Sequence, residues 1–269
     1  MKEKPILFKP SMVKAIRNCK PGVWPAEPID SALPWKWQTR RVMKPQPQYF
    51  NSLQRGIMHE GQSAWLWSKC KNDEWYAWQC NDFKFDPRIS CECPYGQSAD
   101  GLWVRESWNW SYSSVKDVDG KGPNNRQDLI VYAANGEQNI LGWKWRPSIF
   151  MPRWASREDL IIKAVRVERV QEITLEDAKA EGVKHYIHGE YNKVYSSSVP
   201  SIVNFERLWN SINNKAKKAK RNPYTLEPED CYVCYPWYGV PAKQQHRDLP
   251  LYVIPNPWVW TVEFMRLAK

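Results

Sequence analysis

The sequence predicts an α+β fold, mostly antiparallel, whose sheet bends strongly or closes into a β-barrel with short helices on its flanks. Three observations carry this expectation. Segments rich in β-branched and aromatic residues at 36–42, 101–106, 160–170 and 258–266 interleave with short helical patterns, without the regular alternation of a doubly wound sheet. The 269 residues are 42% hydrophobic and include 17 tryptophans, enough apolar material for a sizeable core. The 21 prolines cut the chain into short elements and forbid long helices.

In chain order, Met12, Ala15, Ile16 and Cys19 recur at helical spacing, so a short helix is expected over 12–19, capped by Ser11 and stopped before Pro21. A Pro-rich insertion at about 21–34 follows, and then Trp35-Lys36-Trp37-Gln38-Thr39-Arg40-Arg41-Val42, held extended by the prolines of Lys44-Pro45-Gln46-Pro47. Within an aromatic insertion at about 50–92, the alternation of Trp75-Tyr76-Ala77-Trp78 predicts a β-hairpin. Gly101 to Glu106 reads as a strand leaving a tight turn at Asp100-Gly101, and 120–126 as a loop. Lys144 to Trp154 mixes prolines with large apolar residues, which predicts an ordered loop lining something. Leu160 to Val170 is β-branched and strand-like. Thr174 and Asp177 form a capping-box pattern opening a helix near 175–181, closed by Gly182. Ser201 is placed to cap a helix over 201–212 that buries Ile202, Phe205, Leu208, Trp209 and Ile212. Residues 258–266 alternate as a half-buried strand. With no repeat and no linker, one domain is expected over 1–269, with a third insertion, basic and cysteine-containing, at about 215–245.

The net charge of +10 and pI of about 9.2 point to a polyanionic partner, and the aromatic content excludes a disordered chain. Met1-Lys-Glu-Lys-Pro-Ile-Leu-Phe has no apolar leader, and no stretch reaches the roughly 18 apolar residues of a membrane span, so no membrane partner and a cytoplasmic location are expected. Seven cysteines at irregular spacing fit free thiols or a metal better than a disulfide framework.

No Gly-x-Gly-x-x-Gly and no Gly-Lys-Ser/Thr occurs, which excludes the dinucleotide and P-loop readings. His185 and His188 form a close pair that reads as a solvated loop in the absence of a third ligand. Cys91, Cys93, Cys231 and Cys234 supply two close thiol pairs that would make a tetrahedral structural zinc site if the fold joins them; otherwise they are scattered cysteines, and no cofactor is required. Lys217, Lys218, Lys220 and Arg221 belong to a run with five basic residues in seven, read either as a solvated helix end or loop or as a contact to the nucleic-acid backbone. The tryptophan excess is mostly core, with stacking platforms for unpaired bases as the sharper reading. Lys36, Thr39, Arg40 and Arg41, with Arg105, Glu106 and Glu181 elsewhere, form the constellation of greatest chemical interest. An amine beside guanidinium groups loses its proton more easily and, when neutral, takes the proton of a hydroxyl. The ordinary reading of the same residues is a surface charge cluster.

Taken in order, Lys4-Pro5-Ile6-Leu7-Phe8, Gln38-Thr39-Arg40-Arg41-Val42, Cys93-Pro94-Tyr95-Gly96, Leu102-Trp103-Val104-Arg105-Glu106, Trp145-Arg146-Pro147-Ser148-Ile149, Met151-Pro152-Arg153-Trp154, Glu176-Asp177-Ala178 with Glu181-Gly182, and Asn256-Pro257-Trp258-Val259-Trp260 resemble the ASCH family. This is a branch of the PUA-like fold, and the likeness is greatest to the longer members of tailed bacteriophages and prophages. The family's Gly-Arg-Lys-Thr-x-Thr-x-Arg motif survives as Lys36-Trp37-Gln38-Thr39-Arg40, with Trp37 in place of the first Thr, and Phe150 stands where phage relatives have His.

The resemblance implies a PUA-like β-barrel and a base-sized cleft. By motif it places catalytic roles on Lys36, Thr39 and Glu181, as in amidohydrolases that remove the acetyl group from N4-acetylcytidine, with Arg40, Arg41, Arg105, Glu106, Arg153 and Trp154 around the ligand. Two expectations follow: an amidohydrolase acting on an acylated cytidine, or a non-catalytic module binding nucleic acid (RNA rather than DNA) or a modified nucleoside. A ribonuclease is the weaker third, since no acidic metal-ligand cluster supports it. If phage-encoded, the protein works in the cytoplasm of the bacterial host.

Overall fold

A computed structural model describes residues 2–44, 46, 64–69, 75–81, 84–90, 93–111, 127–136, 144–183, 200–221, 228–238 and 250–268, with 64–69, 75–81, 84–90, 200, 221, 228 and 229 described at the level of the backbone. In chain order the elements are β1 (Glu3–Leu7), α1 (Pro10–Arg17), β2 (Gln38–Val42), β3 (Ala64–Lys69), β4 (Trp75–Asn81), β5 (Lys84–Ser90), β6 (Gly101–Arg105), β7 (Trp108–Trp110) and β8 (Ile130–Tyr132). They continue with β9 (Asp159–Arg169), α2 (Leu175–Ala180), α3 (Pro200–Asn213), β10 (Lys217–Arg221), β11 (Pro228–Cys234), β12 (Leu251–Val253) and β13 (Trp258–Arg266). The class is α+β with mostly antiparallel pairing, as expected, and among the described residues no sheet closes into a barrel.

The chain divides into two compact units, each made of separate segments. The first comprises 1–37, 95–163 and 263–269. Its β1 runs parallel to β6, Glu3 opposite Gly101 and Leu7 opposite Arg105, and β6 pairs antiparallel with the start of β9. Strand β6 is buried from Gly101 to Val104, which is why its sequence is apolar without alternation. Helix α1 buries Val13, Ala15 and Ile16. It starts two residues earlier than predicted: Pro10, with φ pre-set for a helix, takes its first position, so Lys9 rather than Ser11 is the N-cap. Past its end, the Asn18 amide donates to the carbonyls of Asp30, Leu33 and Pro34, tying down the Pro-rich insertion. Strands β7 and β8 pair antiparallel over a cluster of Trp108, Ile130, Tyr132, Met151 and Ala155.

The second unit comprises 38–94 and 164–262. Its core joins Val170, Ile173, Ala178, Val183, Phe205, Trp209, Trp237 and Val259. Thr174 caps α2, its hydroxyl accepting from Asp177 N–H, and Gly182 follows at φ 72°, the left-handed turn foreseen from the sequence. Ser201 is not a cap; it lies buried inside the first turn of α3, which begins at Pro200. The expected hairpin within 50–92 is a three-stranded antiparallel meander, β3–β4–β5. The basic run forms β10, an edge strand antiparallel to β11, and β11 pairs parallel with β12. Residues 258–262 of β13 are buried on both faces rather than one, so alternation of residue type misjudged that half of the strand. The loop at 120–126, the four histidines, Cys91 and most of 50–92 lie outside the described residues.

Candidate functional site

In the second unit, β2 alternates so that Gln38 and Arg40 share one face and Thr39 takes the other. The Arg40 side chain is fully buried and meets three carboxylates: Glu168 on β9, Asp177 on α2 at 3.0 Å, and Glu181 at the end of α2 at 3.5 Å. Asp177 and Glu181 are four apart, the spacing that puts two side chains on one helix face. Arg166, two residues before Glu168 and so on the same face of β9, donates to Glu168 at 3.2 Å, to Asp177 at 2.6 Å and to the Gln38 amide oxygen at 3.1 Å. Thr261 donates its hydroxyl to Glu168 at 2.7 Å, and the Phe205 ring lies 5.9 Å from the Arg40 guanidinium carbon.

Among the described residues, the guanidinium groups of Arg40 and Arg166 meet the carboxylates of Glu168, Asp177 and Glu181. Burial alone would raise the Asp177 carboxyl, but Arg40, Arg166 and the Thr174 N–H outweigh it and hold it below the ordinary carboxylate value.

The three residues expected to be catalytic are placed as follows. Lys36 belongs to the first unit, where it is fully buried with its Nζ 5.8 Å over the Phe8 ring, and its carbonyl accepts from Cys19 Sγ. Burial pushes the Cys19 thiol up to about 11. Thr39, in the second unit, is buried on the face of β2 away from Arg40. Glu181 is nearly fully buried, and its neighbour on β2 is Arg40.

Of the remaining expected ligand residues, Arg41 lies on β2 in the second unit, and Arg105, Glu106, Arg153 and Trp154 fall into two groups in the first. Glu106, almost fully buried, accepts two bonds from Arg157 at 2.8 and 3.0 Å, and burial raises its carboxyl despite that partner. Arg157 also donates to Asn135 and lies 3.9 Å over the Tyr132 ring. The second group is a layered face of arginine and tryptophan. Arg105 lies 4.5 Å over Trp103, with Arg153 at 5.8 Å from the same ring. Arg146 lies 5.2 Å over Trp108 and 5.8 Å over Trp110, and Trp154 stacks on Trp110 at 5.9 Å. Arg153 is paired with Glu3 and Asp159. Among the described residues, Arg105 and Arg146 have no ion-pair partner.

On β10, Lys217, Lys218 and Lys220 are exposed, and Lys218 pairs with Asp230 at 3.0 Å. Partial burial, with the Lys217 charge, lowers the affinity of Lys44 for its proton, which puts Lys44 in the same basic strip. Cys93, Cys231 and Cys234 are buried, and among the described residues no three His, Cys, Asp or Glu side chains gather as a metal centre needs.

Sequence reasoning missed Arg166, Glu168, Arg157 and Arg146. The signal for the first two was present in the alternation of Arg166-x-Glu168 on a predicted strand, while Asp177 was read only as a helix cap. No family model, curated protein or solved structure matches this chain.

Proposed function

We propose that this protein binds nucleic acid, RNA before DNA, or a modified nucleoside, as the ASCH resemblance implies. The observation that carries this reading is that Arg105 lies over Trp103, and Arg146 over Trp108 and Trp110, with no carboxylate partner among the described residues. Arg146 is exposed and Trp110 and Trp154 are half-buried, so this guanidinium can meet a phosphate and these two indoles a base, while Trp103 and Trp108 are buried supports beneath the arginines. The net charge of +10 and the basic strip on β10 agree with a polyanionic partner. The PUA-like fold is part of the proposal, since the motif segments fall on β2, β6, β9 and β13.

An amidohydrolase acting on an N4-acylated cytidine is the second reading. It is favoured by the buried carboxylate cluster, which holds Glu181 and Asp177 beside Arg40 on the second unit's sheet and helix α2.

One experiment addresses both readings. Labelled single-stranded RNA, single-stranded DNA and duplex are titrated with the protein across a salt series, and N4-acetylcytidine, free and in RNA, is incubated with it and followed by mass spectrometry. Binding that weakens linearly on the log–log salt plot supports the first reading, and no salt-dependent binding to any of them sinks it. Loss of an acetyl group that disappears in Thr39→Ala and Lys36→Ala supports the second.

A further inference from the structure

Between Pro147 and Pro152 the chain makes a short 3-10 turn, Ser148–Phe150, that carries two large apolar side chains into solvent: Ile149 is 58% and Phe150 72% exposed. Its backbone is set rather than loose. Phe150 N–H donates to Pro147 O, Met151 N–H to Ser148 O, and Arg105 Nη1 to Ile149 O at 3.1 Å. Met151 anchors the exit of the turn in the core at 0% exposure. At the foot of this tip stand Arg146 and Arg105, the two guanidinium groups with no carboxylate partner among the described residues.

We propose that the Ile149–Phe150 tip is a wedge that enters the base stack of a bound nucleic acid, with Arg105 and Arg146 taking the flanking phosphates. This deepens the nucleic-acid reading above and rests on it. The proline-bracketed turn carries an exposed ring next to the Ile149 carbonyl that takes Arg105 and four residues after Arg146, as inserting a side chain beside a phosphate backbone requires. Two exposed apolar residues are too small an area to anchor a lipid surface, and cations layered on indoles suit a polyanion with flat bases better than an apolar protein groove. The recognised class is therefore a strand with an unpaired or readily unstacked base.

The test uses the full chain and oligonucleotides carrying one 2-aminopurine, whose emission is quenched by stacking and rises when a neighbour is displaced. The wild type is expected to raise this emission on binding, more on single strands than on duplex. Phe150→Ala should abolish the rise and weaken single-strand binding roughly 5- to 150-fold, with an unchanged salt slope, because no charge is removed. Phe150→Trp should keep both. Since Phe150 is exposed, an unchanged melting temperature confirms that the variants are folded. Binding and emission change equal to wild type in Phe150→Ala overturn the wedge while leaving the nucleic-acid reading in place. So does a Phe150→Ala variant that is weakened only towards anionic vesicles, which would assign the tip to a membrane. Failure of the wild type to bind any oligonucleotide overturns both.

Discussion

Arg157 holds Glu106 through two parallel hydrogen bonds of 2.8 and 3.0 Å, in a place where Glu106 is only 1% exposed. Breaking one half of such a pair leaves a buried charge without its partner. Arg157→Met should therefore lower the stability of the protein by about 3 kcal/mol in chemical denaturation. The loss should also depend on pH. Burial raises the folded Glu106 carboxyl above its ordinary 4.5, so the folded state keeps this proton longer than the unfolded one, and stability falls as pH rises through the folded value. Without Arg157 that value climbs further, so the gap between wild type and variant should widen as pH rises.

Asp177 behaves in the opposite sense. Its folded carboxyl lies below the ordinary 3.8, so its contribution is complete above that pH and is lost as pH falls through the lower folded value. Asp177→Asn should make the protein less stable at neutral pH and less sensitive to acid as pH falls below the ordinary carboxylate value of 3.8. Denaturation midpoints across that range, steeper in the wild type, check it.

Arg40 answers to three carboxylates through both terminal nitrogens of a planar fork. Lysine brings a point charge and cannot span them. Arg40→Lys should cost about 2 kcal/mol and Arg40→Met about 3–5 kcal/mol. Equal stability of all three proteins would show that the carboxylates find other partners.

On β10, replacing Lys217, Lys218, Lys220 and Arg221 with glutamine should weaken binding to all sequences alike. The log–log salt slope should flatten by about 0.7–0.9 for each phosphate that is no longer neutralised. Lys218, already neutralised by Asp230, should contribute least when replaced singly. An unchanged slope would make this strand a charged edge that discourages strand addition.

Much of the secondary structure was legible because it rests on local chemistry: the Thr174 cap, the Gly182 turn and the Phe205–Trp209 stripe follow from neighbours along the chain. The errors have physical reasons as well. Proline at the first helical position outweighed Ser11, and a lysine-rich run was not read as a strand, although an edge strand tolerates and even favours such charge. The candidate site was half visible. Arg40 and Glu181 were picked out, but Glu168 and Arg166 join them through pairings some 128 residues apart, which no local pattern carries.

Gln46 and Trp258 exchange two hydrogen bonds, of 3.0 and 2.9 Å, across 212 residues of sequence, and Met43 N–H adds a third to the Trp258 carbonyl. In the first unit, Arg266 closes on Glu158 and on the carbonyls of Arg17 and Cys19. Each unit thus takes an indispensable piece from β13, which leaves the ribosome long after the strands and helix it completes. At about 5–20 residues per second, β2 waits roughly 10–40 s for its partner during synthesis. Until then neither unit holds its share of β13, and the edges that this strand covers stay open.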